Sequence, residues 1–295
     1  MPKKLIVAAF LALLCFALNG RAQQWRPVSG SRQSNISGMA LVEHKNGHSI
    51  FLVVHDNKKR EQPHAGLISI EGDGAPGYTP LKWLGDDIPT DLEAVTSLPG
   101  MTGQYMALTA AGRVFHITLD TKQNTVDVLK SFDVPSIPKD PDFEGFCVQR
   151  INGTLIAAWA DRGLSEKPAT LFWGAIDLGS HTFSQLGSAS IKVPYPQNNV
   201  RHISDLTIDD TGAIFVSSAS DPGDDGPFFS AFYFAGLLNV SGNSRIMFAR
   251  PTQLVRLLKF DYHKVEAFTL VPGPDGGVVF GTDDENLGSA IYLFW

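Results

Sequence analysis

Five short segments of one pattern recur along this chain, and their recurrence limits the fold more than any other feature. They are Ile36-Ser37-Gly38-Met39-Ala40, Leu92-Glu93-Ala94-Val95-Thr96, Phe143-Glu144-Gly145-Phe146-Cys147, Ile203-Ser204-Asp205-Leu206-Thr207 and Val265-Glu266-Ala267-Phe268-Thr269. Each runs apolar, then Ser or Glu, then Gly, Ala or Asp, then apolar, then small. Their starts lie 51 to 62 residues apart. A period of that length means one structural unit repeated, since a single unit cannot bury its own apolar face.

Each segment is followed by a second apolar run: Ile50 to Val54, Tyr105 to Thr109, Leu155 to Ala160, Ala213 to Ser218 and Gly277 to Gly281. A third follows in turn: Gly66 to Ile70, Arg113 to Leu119, Thr170 to Leu178, Ala231 to Leu238 and Ala290 to Trp295. A fourth is visible in the first four copies, for example Val126 to Phe132. Short runs broken by Gly, Pro, Asn and Asp, with no helical period, are the mark of an all-β chain. Four strands per repeat is the make-up of a propeller blade. The expectation is a single all-β domain, a β-propeller of five blades of four antiparallel strands, with six blades as the alternative. The last copy stops after its third strand, so Trp25 to Val28 is expected to supply the missing outer strand, closing the ring and removing an exposed edge. Thr252 to Phe260 reads equally as a short helix or a strand.

In such a ring the first strand of each blade lines the central channel. Ser37, Glu93, Glu144, Ser204 and Glu266 occupy one repeat position and should form a circle of side chains around the axis. Three carboxylates on one axis repel each other, so they take up protons or enclose a cation. Oxygen donors without His or Cys suit a hard cation, Ca²⁺ before Mg²⁺, and not zinc. The plainer alternative is a wet channel in which these groups bond to backbone and water.

That order of Ser, Glu, Glu, Ser and Glu resembles the calcium ring of the calcium-activated nucleotidases, five-bladed apyrases. Ser37-Gly38 followed by Phe51-Leu52-Val53-Val54-His55-Asp56 is similar to their first blade, and Lys264-Val265-Glu266-Ala267 to their last. The resemblance implies Ca²⁺ on the axis and hydrolysis of nucleoside di- and triphosphates at the channel mouth. Acidic inner strands are shared with phytase-like and lactonase-like propellers. Asn57-Lys58-Lys59-Arg60 departs from the apyrase pattern, so the ring transfers better than the activity.

A second register points to the mouth. Asp161, Asp221 and Asp283 each follow their ring residue by 17 positions, and Asp56 follows Ser37 by 19. The end of a second strand lies beside the start of the first, so these acids should rim one mouth, with Asp284 next to Asp283. Lys58, Arg60 and Arg162 fall nearby. Acids over a cation can orient water, as in metal-assisted hydrolysis. On this reading Asp161 or Asp283 positions the water, and Asp56, Asp221, Asp284 and the three bases meet the substrate. The competing reading is that Asp at a strand end caps a turn.

Other motifs are weaker. Gly72-Asp73-Gly74-Ala75-Pro76-Gly77 matches the dinucleotide pattern but precedes no helix, so it reads as a turn. The sequence contains no G-x-S-x-G, which argues against a nucleophile-elbow hydrolase. His202 and His263 lie just before ring positions.

Residues 1–22 read as a secretory signal. Lys3 and Lys4 precede an apolar run from Leu5 to Leu18, and Gly20-Arg21-Ala22 offers a cleavage site before Gln23. The run is short of the roughly 20 residues of a membrane span. The expectation is therefore a propeller domain over residues 23–295, periplasmic or secreted and without a membrane anchor. Cleavage removes three positive charges and takes the net charge from -6 to about -9, a poor balance for nucleic acid. Only Cys147 would remain, so no internal disulfide is expected. Two functions stand at this point. One is a calcium-dependent hydrolase of a small anionic ester or anhydride, phosphoester, nucleotide or lactone. The other is a non-catalytic binding or scaffold propeller with a structural axial cation. Nothing in the sequence identifies protein partners.

Overall fold

The computed structural model describes residues 24–242, 245–274 and 276–294. The signal reading for 1–22 lies outside these residues. Five antiparallel sheets radiate from a common axis, one for each repeat, and the fold is a five-bladed β-propeller. The inner strands are Gly38–Lys45, Leu92–Ser97, Phe143–Ile151, Val200–Ile208 and Val265–Val271. The second, third and outer strands follow in sequence order in blades 1 to 4. Arg26–Ser29 completes blade 5, pairing antiparallel with Ser289–Phe294. Among the described residues no helix is long and apolar enough to cross a membrane.

Two blades carry extra outer pieces. Lys82–Trp83 adds a parallel pair to the outer strand of blade 2. In blade 4, Ile246–Ala249 and Val255–Asp261 pair with different halves of the long third strand, Phe229–Val240. The ambiguous 252–260 stretch is thus largely strand.

Successive strand residues point to opposite faces, and here each face packs on a different neighbouring blade. Leu52 and Val54 join a cluster with Leu92, Ala107 and Phe115 of blade 2. Phe51 and Val53 join another with Ala267, Val279 and Ile291 of blade 5. Three further clusters fill the remaining junctions. The core is therefore five wedges between blades, which is why the second strands, such as His48–Val54 and Thr154–Asp161, carry apolar residues on both faces.

The small third residue of each repeat has a steric cause. A Cβ on Gly38 would lie 2.7 Å from the Ala94 Cα, and one on Gly145 would lie 2.9 Å from Leu206. Inner strands converge toward the axis, and backbone there touches backbone. Asp205 holds the same position in blade 4. Its buried carboxyl accepts from the Leu206 and Phe268 amides at 2.7 and 2.8 Å, joining blade 4 to blade 5.

Candidate functional site

The ring glutamates sit where the ladder is broken. In blades 2, 3 and 5 the register skips between Leu92 and Ala94, between Phe143 and Gly145, and between Val265 and Ala267. Glu93, Glu144 and Glu266 are the unpaired residues of these bulges, and a bulge re-aims its side chain. All three turn into a cavity of about 300 Å³ at one end of the axis. Its other lining residues are Asp56, Lys58, Asp91, Asp142, Arg162, Arg201, Lys264, Asp283 and Glu285. The wall thus consists of eight carboxylates and four cations, with no aromatic or aliphatic side chain.

Arg201 and Lys264 dominate the electrostatics. The Arg201 Nη1 donates to Glu266 Oε1 at 2.5 Å and to Glu144 Oε1 at 3.3 Å. Its Nη2 and Nε donate to Asp221 Oδ2 at 2.6 and 3.1 Å. Lys264, 1% exposed, lies 3.2 Å from Glu266 and 2.5 Å from Glu285. Arg162 joins Asp142 at 2.6 Å and Glu144 at 2.9 Å. Burial alone would lower the pKa of Arg201 and of Lys264, but the surrounding carboxylates, Glu266 foremost, reverse this and raise both.

Glu93 and Asp56 stand apart from this network. Among the described residues neither has an ion pair. Burial, with repulsion from Glu144 and Glu266, pushes the Glu93 carboxyl well above the usual range. Burial, with the charge of Glu266, raises Asp56. Burial also lifts Glu144 to about 7 against the pull of Arg201. Asp283 is raised well above its ordinary value by burial and by Glu266. A cluster of carboxyls held at different pKa values by burial and by their neighbours can both give and accept protons.

Several expected site residues lie elsewhere. Ser204 is fully buried and binds Ser217 Oγ at 3.0 Å and the Val265 carbonyl at 2.8 Å. It ties blade 4 to blade 5 and does not line the cavity. Ser37 is also outside the lining. Asp161 is 2% exposed and away from the cavity. Its Oδ1 accepts from the Gly163 amide at 3.3 Å and faces Lys167 at 3.6 Å, which is a turn-capping arrangement. Arg60 pairs with exposed Asp86, and Asp284 faces His263 and Thr282. Asp221 meets the site only through Arg201. Lys58 and Arg162 do line the cavity, as does Asp283, which also takes the Asn35 amide and the Glu285 N–H. Of the two expected catalytic acids, Asp283 lines the cavity and Asp161 does not.

The cation expected on the axis fits these residues poorly. Among the described residues no three carboxylate, imidazole or thiolate groups gather closely enough to hold a metal ion. Calcium wants six to eight oxygens, and Arg201 reaches between Glu144 and Glu266. Two ring oxygens, Ser37 Oγ and Glu144 Oε2, are buried without a hydrogen-bond partner. They are too few for calcium and suit bound water.

No protein-family model matches the chain, and no curated protein sequence matches it either. Solved structures do. An exo-β-1,3-galactanase from Clostridium thermocellum has a TM-score of 0.51 at 10% identity, over 92% of this chain and 61% of that one. A GH43 endo-arabinanase from Bacillus licheniformis has a TM-score of 0.43 at 10% identity, over 92% and 97% of the two chains. A GH32 β-fructofuranosidase from Bombyx mori scores 0.48 at 10% identity, over 92% and 62%. At such identity the likeness is one of fold.

Proposed function

We propose that the protein is an exported hydrolase of a small anionic ester or anhydride, with the axial cavity as its active site. The observation that carries this reading is a cavity of about 300 Å³ walled only by charged side chains, two of whose acids, Glu93 and Asp56, have no ion pair. A site built to bind a neutral sugar ring would offer an apolar wall, and this one has none. Lys58 and Arg162 at the rim suit the negative charge of a phosphoester, a nucleotide or an opened lactone.

In this reading Glu93 works in its protonated form. It gives a proton to the leaving oxygen as the ester or anhydride bond breaks, while Asp56 takes one from the attacking water. The water's hydroxyl joins the electrophilic centre, and both products leave as hydroxyl compounds. General acid–base catalysis of this kind contributes about 10²- to 10⁴-fold in rate. No step requires a metal.

The test is a substrate screen of the mature protein. Aryl phosphates, nucleoside di- and triphosphates and lactones form the first panel, and aryl galactosides and arabinosides the second. The expected result is turnover in the first panel, lost about 10²-fold or more in Glu93→Gln and retained in Asp161→Asn. Turnover of glycosides alone would replace the substrate class and keep the site. Activity in Glu93→Gln equal to the parent's would remove Glu93 from the chemistry. No turnover in either panel would leave the scaffold reading.

A further inference from the structure

We infer that Arg201 is the resident cation of the axial ring, so that a guanidinium of the chain itself occupies the place a divalent metal ion would take between the blades. The inference concerns how the ring is neutralised and holds whether or not the cavity is catalytic.

The argument starts from blade 4. In blades 2, 3 and 5 a single unpaired residue presents a glutamate to the axis. In blade 4 the register runs from Arg201 opposite Ala219 to Asp205 opposite Ser217, so three residues face one. This longer irregularity carries Arg201 to the axis, while the residue in ring register, Ser204, is small and turned into the blade junction. Blade 4 thus lacks an axial carboxylate and has an axial cation. Its neighbours, blades 3 and 5, hold Glu144 and Glu266, and Nη1 lies within hydrogen-bonding distance of both.

The guanidinium also suits the place chemically. It is planar, permanently charged and able to direct several N–H groups at several oxygens. Three carboxylates, those of Glu144, Glu266 and Asp221, share it. Its side chain is 12% exposed, and a buried charge is tolerated only when paired. Lys264 adds a second internal cation, 3.2 Å from the same Glu266 oxygen, Oε1, that Arg201 contacts. A divalent ion entering the ring would have to displace Arg201 from contacts on three strand ends, and would meet its positive charge on the way. Across from blade 4, the ring position of blade 1 is held by Ser37, and the cation on that side is the exposed Lys58, which pairs with Asp91 at 3.2 Å. The ring is therefore asymmetric, with its buried positive charge on the side of blades 3, 4 and 5.

Thermal unfolding of the mature wild-type protein in EGTA, in millimolar Ca²⁺ and in millimolar Mg²⁺, with elemental analysis, tests this directly. A cation that binds only the folded state raises the Tm. The expected result is no bound metal and the same Tm in all three conditions. Stoichiometric calcium, or a calcium-selective rise, would overturn the proposal. Arg201→Gln is expected to lower the Tm in EGTA and to recover several degrees in Ca²⁺, because the acids then lack their cation. A variant that folds only with calcium gives the same support. A variant indifferent to calcium, or unable to fold with or without it, would show that no metal can replace the guanidinium and would overturn the assignment. Arg201→Lys keeps the charge and should lose some stability without gaining a calcium response. A response there as large as in Arg201→Gln would also count against it.

Discussion

Burial raises the pKa of the carboxyl groups near the axis, facing cations only partly offset it, and this fixes how stability should follow pH. Glu93, Asp205 and Asp283 all have pKa values well above the ordinary range, chiefly through burial, and Glu144 sits near 7. Such groups bind more protons folded than unfolded, so they cost stability as pH rises above the unfolded carboxyl value. Buried His55 works the other way. Its pKa is lowered to about 4 by desolvation, so acidification from the ordinary value of 6.5 costs stability. The expected Tm profile has its maximum on the acid side of neutrality, the axial acids lowering the Tm as pH rises above the unfolded carboxyl value and His55 opposing them only up to about 6.5. Glu93→Gln removes an ionisation from the buried cluster and should flatten the alkaline limb, raising the Tm at pH 8 by about a few degrees. A pH profile identical to the parent's would mean that Glu93 is already ionised, and the acid role would fall with it.

At the scale of the strand, the repeat was legible because steric demand near the axis writes itself into residue size. Gly38, Ala94, Gly145 and Ala267 leave room for a neighbouring backbone, and the apolar residues around them face two blades. Gly38→Val should therefore be more damaging than an equivalent change on an outer strand. Its branched side chain has backbone 2.7 Å from the Cβ position, and overpacking costs about 1–3 kcal/mol or more where nothing can move. Urea unfolding would report the loss, and a parental midpoint would show that blades 1 and 2 can separate. The ring glutamates were legible for a related reason, being the bulged residues of otherwise regular strands. Arg201 and Lys264 were not. They precede their ring positions by three and two residues, and only the longer irregularity of blade 4 brings Arg201 to the axis. Asp161 misled because it shares the register of Asp221 and Asp283. Register places the Cα of such a residue, whereas its local turn decides that the carboxylate faces Gly163 and Lys167.

For the molecule as a whole, stability depends on closure. Five apolar wedges hold neighbouring blades, and the fifth and first blades meet through Ile36, Met39, Phe51, Ala267 and Ile291. The ring's last sheet is finished by Arg26–Ser29, from the opposite end of the described chain, pairing with Ser289–Phe294. Next to that strand, Trp25 packs on Phe260, His263 and Tyr292 with ring centroids 4.2 to 5.6 Å apart. Loops reinforce the join, since Arg32 reaches Asp224 at 3.0 Å and Glu285 at 2.7 Å. Removing residues 24–29 should thus do more than delete four strand residues. It exposes the edge of Ser289–Phe294, which an unclosed sheet offers to other chains, and strips the aromatic cover from blade 5. The expected outcome is a Tm lower by about 5 °C or more, together with concentration-dependent association in light scattering. Adding the missing segment back as a synthetic peptide should restore a monomer, because the empty edge selects a strand of that register. A truncated protein that stays monomeric with an unchanged Tm would mean that the five wedges close the ring without help. The terminal strand would then be a cover and not a lock.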